Sequence, residues 1–223
     1  MDPQPDQIEV LTGFLKREAF ENAFPSLFES AKMQGRPVAM AFLDVDAFKP
    51  INDAFGHALG DQVLIEIADI IRSHVKDDAV VVRYGGDEFL LLFPNTVREE
   101  ALLTLERIRQ NVSQQKPFVP GSEMGDHQVT ISAGIASYPV DANSDMELKR
   151  KADEALYRAK NVGKDTIRLA FEEKMAPKTS HYTQTQLERL SRLADEQGVG
   201  EAVILREALD DLLMKYGVNP IET

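Results

Sequence analysis

The sequence predicts an α+β fold in which a split βαβ sheet with flanking helices precedes a small helical unit. Three observations support this prediction. Apolar runs of four to six residues recur up to residue 170, as in strands that are covered on both faces. Segments with helical spacing of apolar residues separate these runs, in the order β-α-β-β-α-β after an N-terminal helix. Beyond residue 177 the pattern changes to two amphipathic helices.

The sheet is predicted to begin with a helix and a buried strand. Phe20, Phe24 and Phe28 recur at every fourth position of a helix over residues 17–32. A phenylalanine stripe at this spacing faces a protein core far more often than a ligand. The apolar run 38–43 then predicts a buried strand, which ends directly before a short acidic segment.

A β-hairpin is predicted over residues 80–93. Two apolar runs flank Arg83-Tyr84-Gly85-Gly86-Asp87-Glu88-Phe89, and a Gly-Gly pair between such runs is typical of a hairpin turn. Its tip carries the adjacent carboxylates Asp87 and Glu88, which a purely structural turn does not need. Glycine lets a bulky ligand approach the backbone closely, and the neighbouring acids can hold a cation. An acidic, solvated turn is the alternative interpretation.

The other elements follow from the same spacing rules. The remaining helices, whose apolar residues recur every three or four positions, are 61–75, 96–112 and 146–161. The remaining strands are 129–136 and 165–169, and a loop rich in Pro, Gly and Ser covers 114–127. This order is that of a ferredoxin-like, polymerase-palm-like sheet with antiparallel and mixed pairing, which we assign to residues 1–170.

Composition and charge exclude several classes of protein. The net charge of −12 over 223 residues argues against a general nucleic-acid-binding surface, which needs Lys and Arg to neutralise phosphates. Because the chain has no cysteine, disulfides and thiolate metal sites are excluded. No stretch approaches the roughly 20 apolar residues of a membrane helix, and the polar, acidic start is unlike a signal peptide. We therefore expect a cytoplasmic protein without membrane contact.

Two carboxylates are predicted to meet at one edge of the sheet. In a split βαβ sheet the end of the first strand lies beside the next hairpin, so Asp44 and Asp87 share that edge. Two carboxylates a few ångströms apart repel each other unless a cation lies between them. Mg²⁺ suits this pair because it prefers oxygen ligands, and no Cys or His cluster favours a softer metal. A helix N-cap is the alternative interpretation of Asp44.

The segment after Asp44 offers groups that suit a guanine nucleotide. Lys49 can meet a phosphate as a point charge. Asn52 offers a donor and an acceptor, whereas Asp61 offers acceptors only. A carboxylate that accepts from two adjacent N–H groups distinguishes guanine from adenine. Taken singly, these are also ordinary cap and turn residues, and Asp61 in particular suits a helix N-cap.

Several motifs occur together in one order and spacing. They are Phe42-Leu43-Asp44-Val45-Asp46-Ala47-Phe48-Lys49, Asn52-Asp53, Gly56-His57, Gly60-Asp61, the hairpin run from Arg83 to Phe89, Ala152-Asp153-Glu154-Ala155-Leu156-Tyr157-Arg158-Ala159-Lys160 with Gly163-Lys164, and the weaker Leu11-Thr12-Gly13-Phe14. Together they resemble the motifs of the GGDEF-domain diguanylate cyclases over about 160 residues.

The resemblance implies a role for each matched position. Asp44, the main-chain carbonyl of Val45 and Asp87 would coordinate Mg²⁺ or Mn²⁺. Asp87 or Glu88 would help to activate the ribose 3′-hydroxyl, and Gly86 would let the sugar-phosphate approach. The implied substrate-binding residues are Asn52 and Asp61 for guanine, with His57 and Leu64 nearby, and Lys49, Lys160 and Lys164 for the triphosphate. A solvated helix position is the alternative interpretation of Lys160.

The family reaction condenses two GTP molecules into cyclic di-GMP and releases two pyrophosphates. The intact Asp61 favours GTP over ATP as the substrate. The family's product-inhibition motif, Arg-x-x-Asp, is replaced here by Lys76-Asp77-Asp78-Ala79, which lacks the bidentate arginine, so we expect no strong feedback through that site. Lys164 stands where the family often has arginine, and Ala47 replaces a common aromatic residue or histidine.

The C-terminal part is predicted to be a separate dimerisation module. Residues 171–177 look like a linker, and residues 178–223 resemble a ribbon-helix-helix module with a short strand over 178–183 and helices over 184–197 and 201–216. About 45 residues of this content cannot bury their apolar surface alone. Because the product needs two GTP molecules that face each other, we expect a homodimer.

Two alternatives remain open for this module and for the whole chain. Ribbons of this kind bind the DNA major groove, but the ribbon segment has one firm positive charge, Lys178. From residue 174 on, six Lys or Arg face eight Asp or Glu, so we prefer a dimeriser to a DNA-binding module or a plain helical hairpin. The alternative to a cyclase is a DNA-binding regulator whose cyclase domain senses GTP or cyclic di-GMP.

Overall fold

The computed structural model divides the chain into two compact units, Met1–Glu173 and Lys174–Thr223. The residues that the structure describes are 4–116, 118–125, 127–170, 182–197 and 201–216.

A six-stranded sheet forms the centre of the first unit. Its strands are β1 (Leu15–Lys16), β2 (Val38–Val45), β3 (Val80–Arg83), β4 (Glu88–Pro94), β5 (Ile131–Tyr138) and β6 (Ile167–Leu169). They lie in the order β1-β3-β4-β2-β5-β6. The central strand β2 is antiparallel to β4 and β5, whereas β1 and β6 pair in parallel with their neighbours. The predicted split βαβ sheet with mixed pairing is therefore confirmed.

Helices cover both faces of this sheet. They are α1 (Arg17–Met33), α2 (Phe48–Phe55), α3 (His57–His74), α4 (Arg98–Gln114) and α5 (Asp145–Asn161). The phenylalanine stripe of α1 packs with α5 on one face, and α3 and α4 pack on the other. The side chain of Ser144 caps α5 by accepting a hydrogen bond from the Glu147 amide at 3.2 Å.

The side chains of β2 alternate between the two faces of the sheet, and this alternation determines the face on which Asp44 lies. Met40 and Phe42 belong to the core beneath α1 and α5, whereas Ala41 and Leu43 belong to the core beneath α3 and α4. Because side chains alternate with a period of two, Asp44 lies on the α5 face of the sheet. The end of β2 is thus placed below the last turn of α5.

The start of the helical region after β2 was not predicted correctly. The sequence indicated one helix from residue 61, but the structure has α2 and then α3 from His57, with Gly56 as the N-cap at φ 83°. Pro50 is tolerated because it lies in the first turn of α2. The N-cap interpretation of Asp61 is therefore wrong, and that of Asp44 is wrong as well because Ala47 occupies the N-cap of α2.

The other predicted elements are present with shifted ends. The strand predicted over 129–136 is β5, and the last strand begins at Ile167 instead of residue 165. Lys164 and Asp165 have φ angles of 65° and 44°, so the backbone there is left-handed and cannot extend the strand. The two-residue strand β1 was missed because it is too short to show periodicity.

The second unit contains two helices, α6 (Gln184–Gln197) and α7 (Glu201–Lys215). Thr183 starts α6 with a capping box: its hydroxyl accepts from the Gln186 amide at 3.3 Å, and the Gln186 side chain accepts from the Thr183 amide at 2.9 Å. Of the predicted ribbon, Tyr182 and Thr183 are not in a strand, and residues 178–181 lie outside the described residues. The predicted linker over 171–177 also lies outside them.

Across the described part of the chain, no helix has the length and apolar character needed to cross a membrane.

Candidate active site

The structure brings the end of β2 and the tip of the β3–β4 hairpin together. Asp44 lies opposite Glu88 in the antiparallel register, and the Val45 amide donates to the Asp87 carbonyl at 3.1 Å. The predicted meeting of Asp44 and the hairpin acids at one edge is therefore confirmed. This meeting follows from the strand order, since β4, the second strand of the hairpin, lies beside β2.

Arg83 fixes the shape of the hairpin tip. Its Nε donates to the Gly85 carbonyl at 2.8 Å, and its Nη2 donates to the Gly86 carbonyl. The guanidinium also lies 5.0 Å from the centre of the Phe89 ring. Sequence reasoning did not give Arg83 a role, although its place directly before the turn was visible.

Gly86 leaves open space at the tip. A Cβ atom built at this position would meet no heavy atom within 4 Å, and the residue is exposed. The backbone of the turn is therefore accessible to a ligand, and the predicted approach of a sugar-phosphate is sterically possible.

Asp44 is a buried carboxylate with one close cation. Its exposed fraction is 7%, and the Lys160 ammonium lies 2.7 Å from its Oδ2. The pKa of Asp44 is raised to about 6, mainly by burial; the charges of Asp87 and Glu88 contribute to the rise, and Lys160 opposes it. Because its ammonium pairs with Asp44, the interpretation of Lys160 as a solvated helix residue is wrong.

A glycine in β5 lets α5 carry Lys160 to this place. A Cβ atom on Gly134 would lie 1.9 Å from the Leu156 amide nitrogen, so only glycine permits the helix to pack this closely. Lys160 is one turn beyond Leu156 on the same side of α5. The close packing therefore sets the height of the ammonium over the end of β2.

The oxygen-rich edge suits a hard divalent cation. Among the described residues, no group of three or more His, Cys, Asp or Glu side chains is arranged to hold a metal ion. The predicted set needs fewer, because it combines the two carboxylates of Asp44 and Asp87 with the carbonyl of Val45. Mg²⁺ is commonly bound by one or two carboxylates and completes its shell with water and substrate phosphates. The donor set therefore fits such an ion.

Asn52 lies at the corner between α2 and α3 with an unused acceptor. Its Oδ1 is buried and has no hydrogen-bond partner among the described residues. A Cβ atom on Gly60 would lie 1.9 Å from this oxygen, so any side chain there would displace the Asn52 amide group. Since buried polar atoms are nearly always paired, the free oxygen indicates a site for a donor from a ligand. Asp61 is exposed on α3 directly after Gly60.

The remaining predicted residues differ in exposure. Lys49, His57 and Lys164 are exposed, whereas Leu64 belongs to the core beneath α3 and is 2% exposed. Lys164 lies in the left-handed turn between α5 and β6. Asp46, which sequence reasoning passed over, is buried two residues after Asp44 and accepts hydrogen bonds from three groups. The Asp-x-Asp spacing was the available signal, because it repeats the strand period.

Comparison with known proteins agrees with this architecture. A family model described as "Diguanylate cyclase, GGDEF domain" matches residues 7–166. The chain belongs to this family. The match covers the first unit up to the last strand and does not extend into α6 and α7.

Curated relatives are identical to this chain at more than a third of the aligned positions. The response regulator PleD of Caulobacter vibrioides is 38% identical over 157 residues, which are 70% of this chain and 34% of that protein. Diguanylate cyclase DosC of Escherichia coli is 36% identical over 163 residues, 73% of this chain and 35% of the relative. The chain thus spans about a third of the length of these relatives.

Solved GGDEF structures have the same fold. The GGDEF domain of DgcB from Caulobacter crescentus, in complex with c-di-GMP, is 31% identical with a TM-score of 0.69, covering 77% of this chain and 97% of that domain. An active GGEEF domain of a Vibrio cholerae diguanylate cyclase is 31% identical with a TM-score of 0.65, covering 71% of this chain and 98% of that one. The first unit is therefore a GGDEF domain.

Proposed function

We propose that this GGDEF protein is a diguanylate cyclase, which condenses two GTP into cyclic di-GMP and releases two pyrophosphates. The observation that carries the proposal is the buried Asp44 beside Lys160, opposite Glu88 at the hairpin tip. Family membership alone does not decide the activity, because one relative, 33% identical over 194 residues (87% of this chain and 24% of that protein), is named the cyclic di-GMP phosphodiesterase NbdA of Pseudomonas aeruginosa.

We propose that Asp44, the Val45 carbonyl and Asp87 hold Mg²⁺ or Mn²⁺ in the working enzyme. A divalent ion at this place would stabilise the charge that develops on the α-phosphate and on the leaving pyrophosphate. Asp87 or Glu88 would accept the proton of the attacking 3′-hydroxyl, since both acids lie at the accessible tip. Gly86 would leave room for the ribose.

Guanine recognition is assigned to the corner between α2 and α3. The unpartnered Oδ1 of Asn52 would accept from an N–H group of the base, and the Asp61 carboxylate would accept from N1–H and the N2 amine. His57 and Leu64 would border this pocket, His57 from the surface and Leu64 from the core. Adenine, which lacks both of these donors in that arrangement, would bind less well.

Lysines at three places would bind the triphosphate. They are Lys49 on α2, Lys160 at the end of α5 and Lys164 in the turn before β6. Lys160 would join the phosphates to the ion site because its ammonium already pairs with Asp44. The lysine in place of arginine at position 164 offers a point charge in place of a bidentate fork.

We further propose that the second unit, as a ribbon-helix-helix-like module, dimerises the enzyme. Among the described side chains of its helices, six large apolar ones are at least 36% exposed, namely Leu187, Leu193, Leu205, Leu209, Leu212 and Leu213. A patch of this kind on two short helices favours association with a second copy. Two cyclase domains held in this way would present the two GTP molecules that the product requires.

Feedback inhibition through the family's usual site is not expected. Lys76 stands in the place of its arginine, and its ammonium lies 2.5 Å from Oε1 of Glu100. Ala79 replaces its aspartate and offers no acceptor. The second candidate function, a DNA-binding regulator that senses nucleotides, is less favoured because residues from 174 on carry a net charge of −2.

Incubation of the full chain with GTP and Mg²⁺, followed by mass spectrometry of the product, tests the proposal. We expect cyclic di-GMP from the wild type and none from Asp87→Ala, whereas Asp77→Ala, which removes an exposed acid outside the site, should leave the yield unchanged. Failure of the wild type to form a cyclic dinucleotide would refute the proposal. Salt-sensitive, sequence-specific binding to a DNA fragment would instead support the regulator.

A further inference from the structure

A buried carboxylate outside the predicted site connects β2 to the turn that carries Lys164. Asp46 is 6% exposed, and both of its oxygens accept hydrogen bonds. Its Oδ1 accepts from the Ser132 hydroxyl at 2.8 Å. Its Oδ2 accepts from the Thr130 hydroxyl at 2.8 Å and from the Asp165 amide at 2.9 Å. The last of these bonds joins residues that are 119 positions apart.

The turn that receives this bond has an unusual backbone. Gly163, Lys164 and Asp165 have φ angles of 127°, 65° and 44° in succession. L-residues other than glycine rarely adopt such angles and do so only where the surroundings over-determine them. Two adjacent side-chain-bearing residues in this conformation therefore require strong external contacts.

Three contacts supply this constraint from different directions. The Lys164 amide donates to the Ala159 carbonyl of α5 at 3.3 Å. Arg109 of α4 donates from Nη1 to Oδ1 of Asp165 at 2.7 Å. Asp46 accepts from the Asp165 amide, which is the peptide group that directly follows Lys164. Of the three, the Asp46 contact comes from the residue that directly follows the strand carrying Asp44.

Two residues at the end of β2 and directly after it hold the segment that follows α5. Lys160 contacts Asp44, the second-last residue of β2, and Asp165 contacts Asp46, which directly follows the strand, so both ends of the segment between Lys160 and Asp165 are held. Lys164 lies within this segment. Asp46 is therefore one of the contacts that set the distance between the proposed ion site and the proposed phosphate lysine.

We infer that Asp46 is a positioning residue for the triphosphate subsite, acting through the turn that carries Lys164. The inference rests on the proposed function and deepens it, since Asp46 would set the position of Lys164, a proposed phosphate-binding residue. Asp46 does not contact the substrate. Replacement of Asp46 should weaken binding of the nucleotide phosphates and leave binding of the guanine base unaffected.

The test measures binding of a non-hydrolysable GTP analogue with Mg²⁺ and of guanosine alone, by calorimetry or ligand-observed NMR. In Asp46→Asn, one of the two acceptor oxygens becomes an NH2 donor and the charge is lost, so at most two of the three donated bonds can persist and the bond from the Asp165 amide is no longer charge-assisted. We expect about tenfold weaker binding of the analogue, which corresponds to one lost phosphate contact, and unchanged binding of guanosine. The KM for GTP should rise by a similar factor with a smaller change in kcat.

A double-mutant cycle identifies the route of the effect. If Asp46 acts through Lys164, Asp46→Asn should cost nothing further once Lys164→Ala is present. Additive losses would overturn the inference, as would unchanged affinity of Asp46→Asn for the analogue. Should Asp46→Asn fold poorly, Thr130→Val removes one donor to the same oxygen and should weaken analogue binding about threefold. Unchanged analogue binding in that variant would equally overturn the inference.

Asp141 provides a matched control. It is 2% exposed and accepts from the Ser137 amide at 2.8 Å, the Ser137 hydroxyl at 3.0 Å and Arg98 at 3.0 Å, at the opposite end of β5. Asp141→Asn should lose stability without losing affinity for the analogue. Because binding is measured separately from turnover, a wild type that binds the analogue but makes no cyclic di-GMP would refute the proposed function and still test Asp46.

Discussion

Replacing Asp44 by asparagine should make the metal-free protein more stable, although the same change should abolish synthesis of cyclic di-GMP. Folding buries this carboxyl and raises its pKa from 3.8 to about 6. Each unit of this pKa difference corresponds to about 1.4 kcal/mol, so the ionised group lowers the free energy of unfolding by up to about 3 kcal/mol. Asparagine has a similar shape and no charge, and it avoids this cost.

The sign of the pH dependence follows from the direction of the shift. A carboxyl with a raised folded pKa favours the fold below the unfolded pKa, near pH 4, and that contribution is lost as the pH rises through about 6. The stability difference between Asp44→Asn and the wild type should therefore be small at pH 4, grow between pH 4 and 6, and stay constant up to pH 8.

Urea unfolding in the presence of EDTA, followed by circular dichroism at pH 4, 6 and 8, measures this difference. Asp141→Asn serves as the contrast, because that buried carboxylate accepts from three donors and its loss should destabilise the fold. With Mg²⁺ and a non-hydrolysable GTP analogue at 100 times its Kd, the wild type should gain about 3 kcal/mol and Asp44→Asn much less. A variant less stable than the wild type at pH 8, or a difference that does not change with pH, would show that Asp44 is not strained by burial.

Three further changes test other parts of the structure. Tyr84→Phe removes the hydroxyl that donates to Glu21 at 2.6 Å and should lower the free energy of unfolding by about 1 kcal/mol. Because burial raises the pKa of Tyr84 to about 12, the stability difference between the wild type and Tyr84→Phe should disappear between pH 10 and 12 in urea titrations. Gly86→Ala has space for its methyl group, so the melting temperature should not change, whereas cyclase activity should fall on the order of 100-fold if the ribose passes there. The double change Leu209→Glu with Leu212→Glu should convert a dimer into a monomer in light scattering. Leu103→Glu, at a leucine that is also exposed but lies on α4, should leave the dimer intact. A dimer that survives the double change would place the interface elsewhere.

Most of the sheet could be predicted because β2, β3 and β4 are built on unbroken apolar runs and the long helices have regular spacing. The region after Asp44 could not, since α2 has eight residues with a proline in its first turn and α3 begins after a glycine with a positive φ. Both features depend on backbone angles that the residue pattern does not specify. The same reason explains the late start of β6, where Lys164 and Asp165 are left-handed without being glycine.

The meeting of Asp44 with the hairpin acids was predictable because strand order alone determines it. The roles of Arg83 and Asp46 were not, since each acts through main-chain groups of a turn. Arg83 donates to two carbonyls of the hairpin tip, and Asp46 accepts from an amide far along the chain. Main-chain partners leave no mark on the residue types around them, so spacing can mark Asp46 and Arg83 as candidates but cannot identify the groups that they contact.

Three unfavourable features of this domain involve residues of the proposed site and of the turn that carries Lys164. Asp44 is ionised at a cost in stability, an oxygen of Asn52 is buried without a partner, and Lys164 and Asp165 hold a strained backbone. Each is the kind of local cost that persists where the surrounding structure enforces it. A divalent ion would stabilise the charge on Asp44, a base N–H would pair with Asn52, and a triphosphate would use the fixed lysine. One ligand, a metal-bound guanine nucleotide, would satisfy all three, which is a stronger argument for the proposed substrate than any single residue provides.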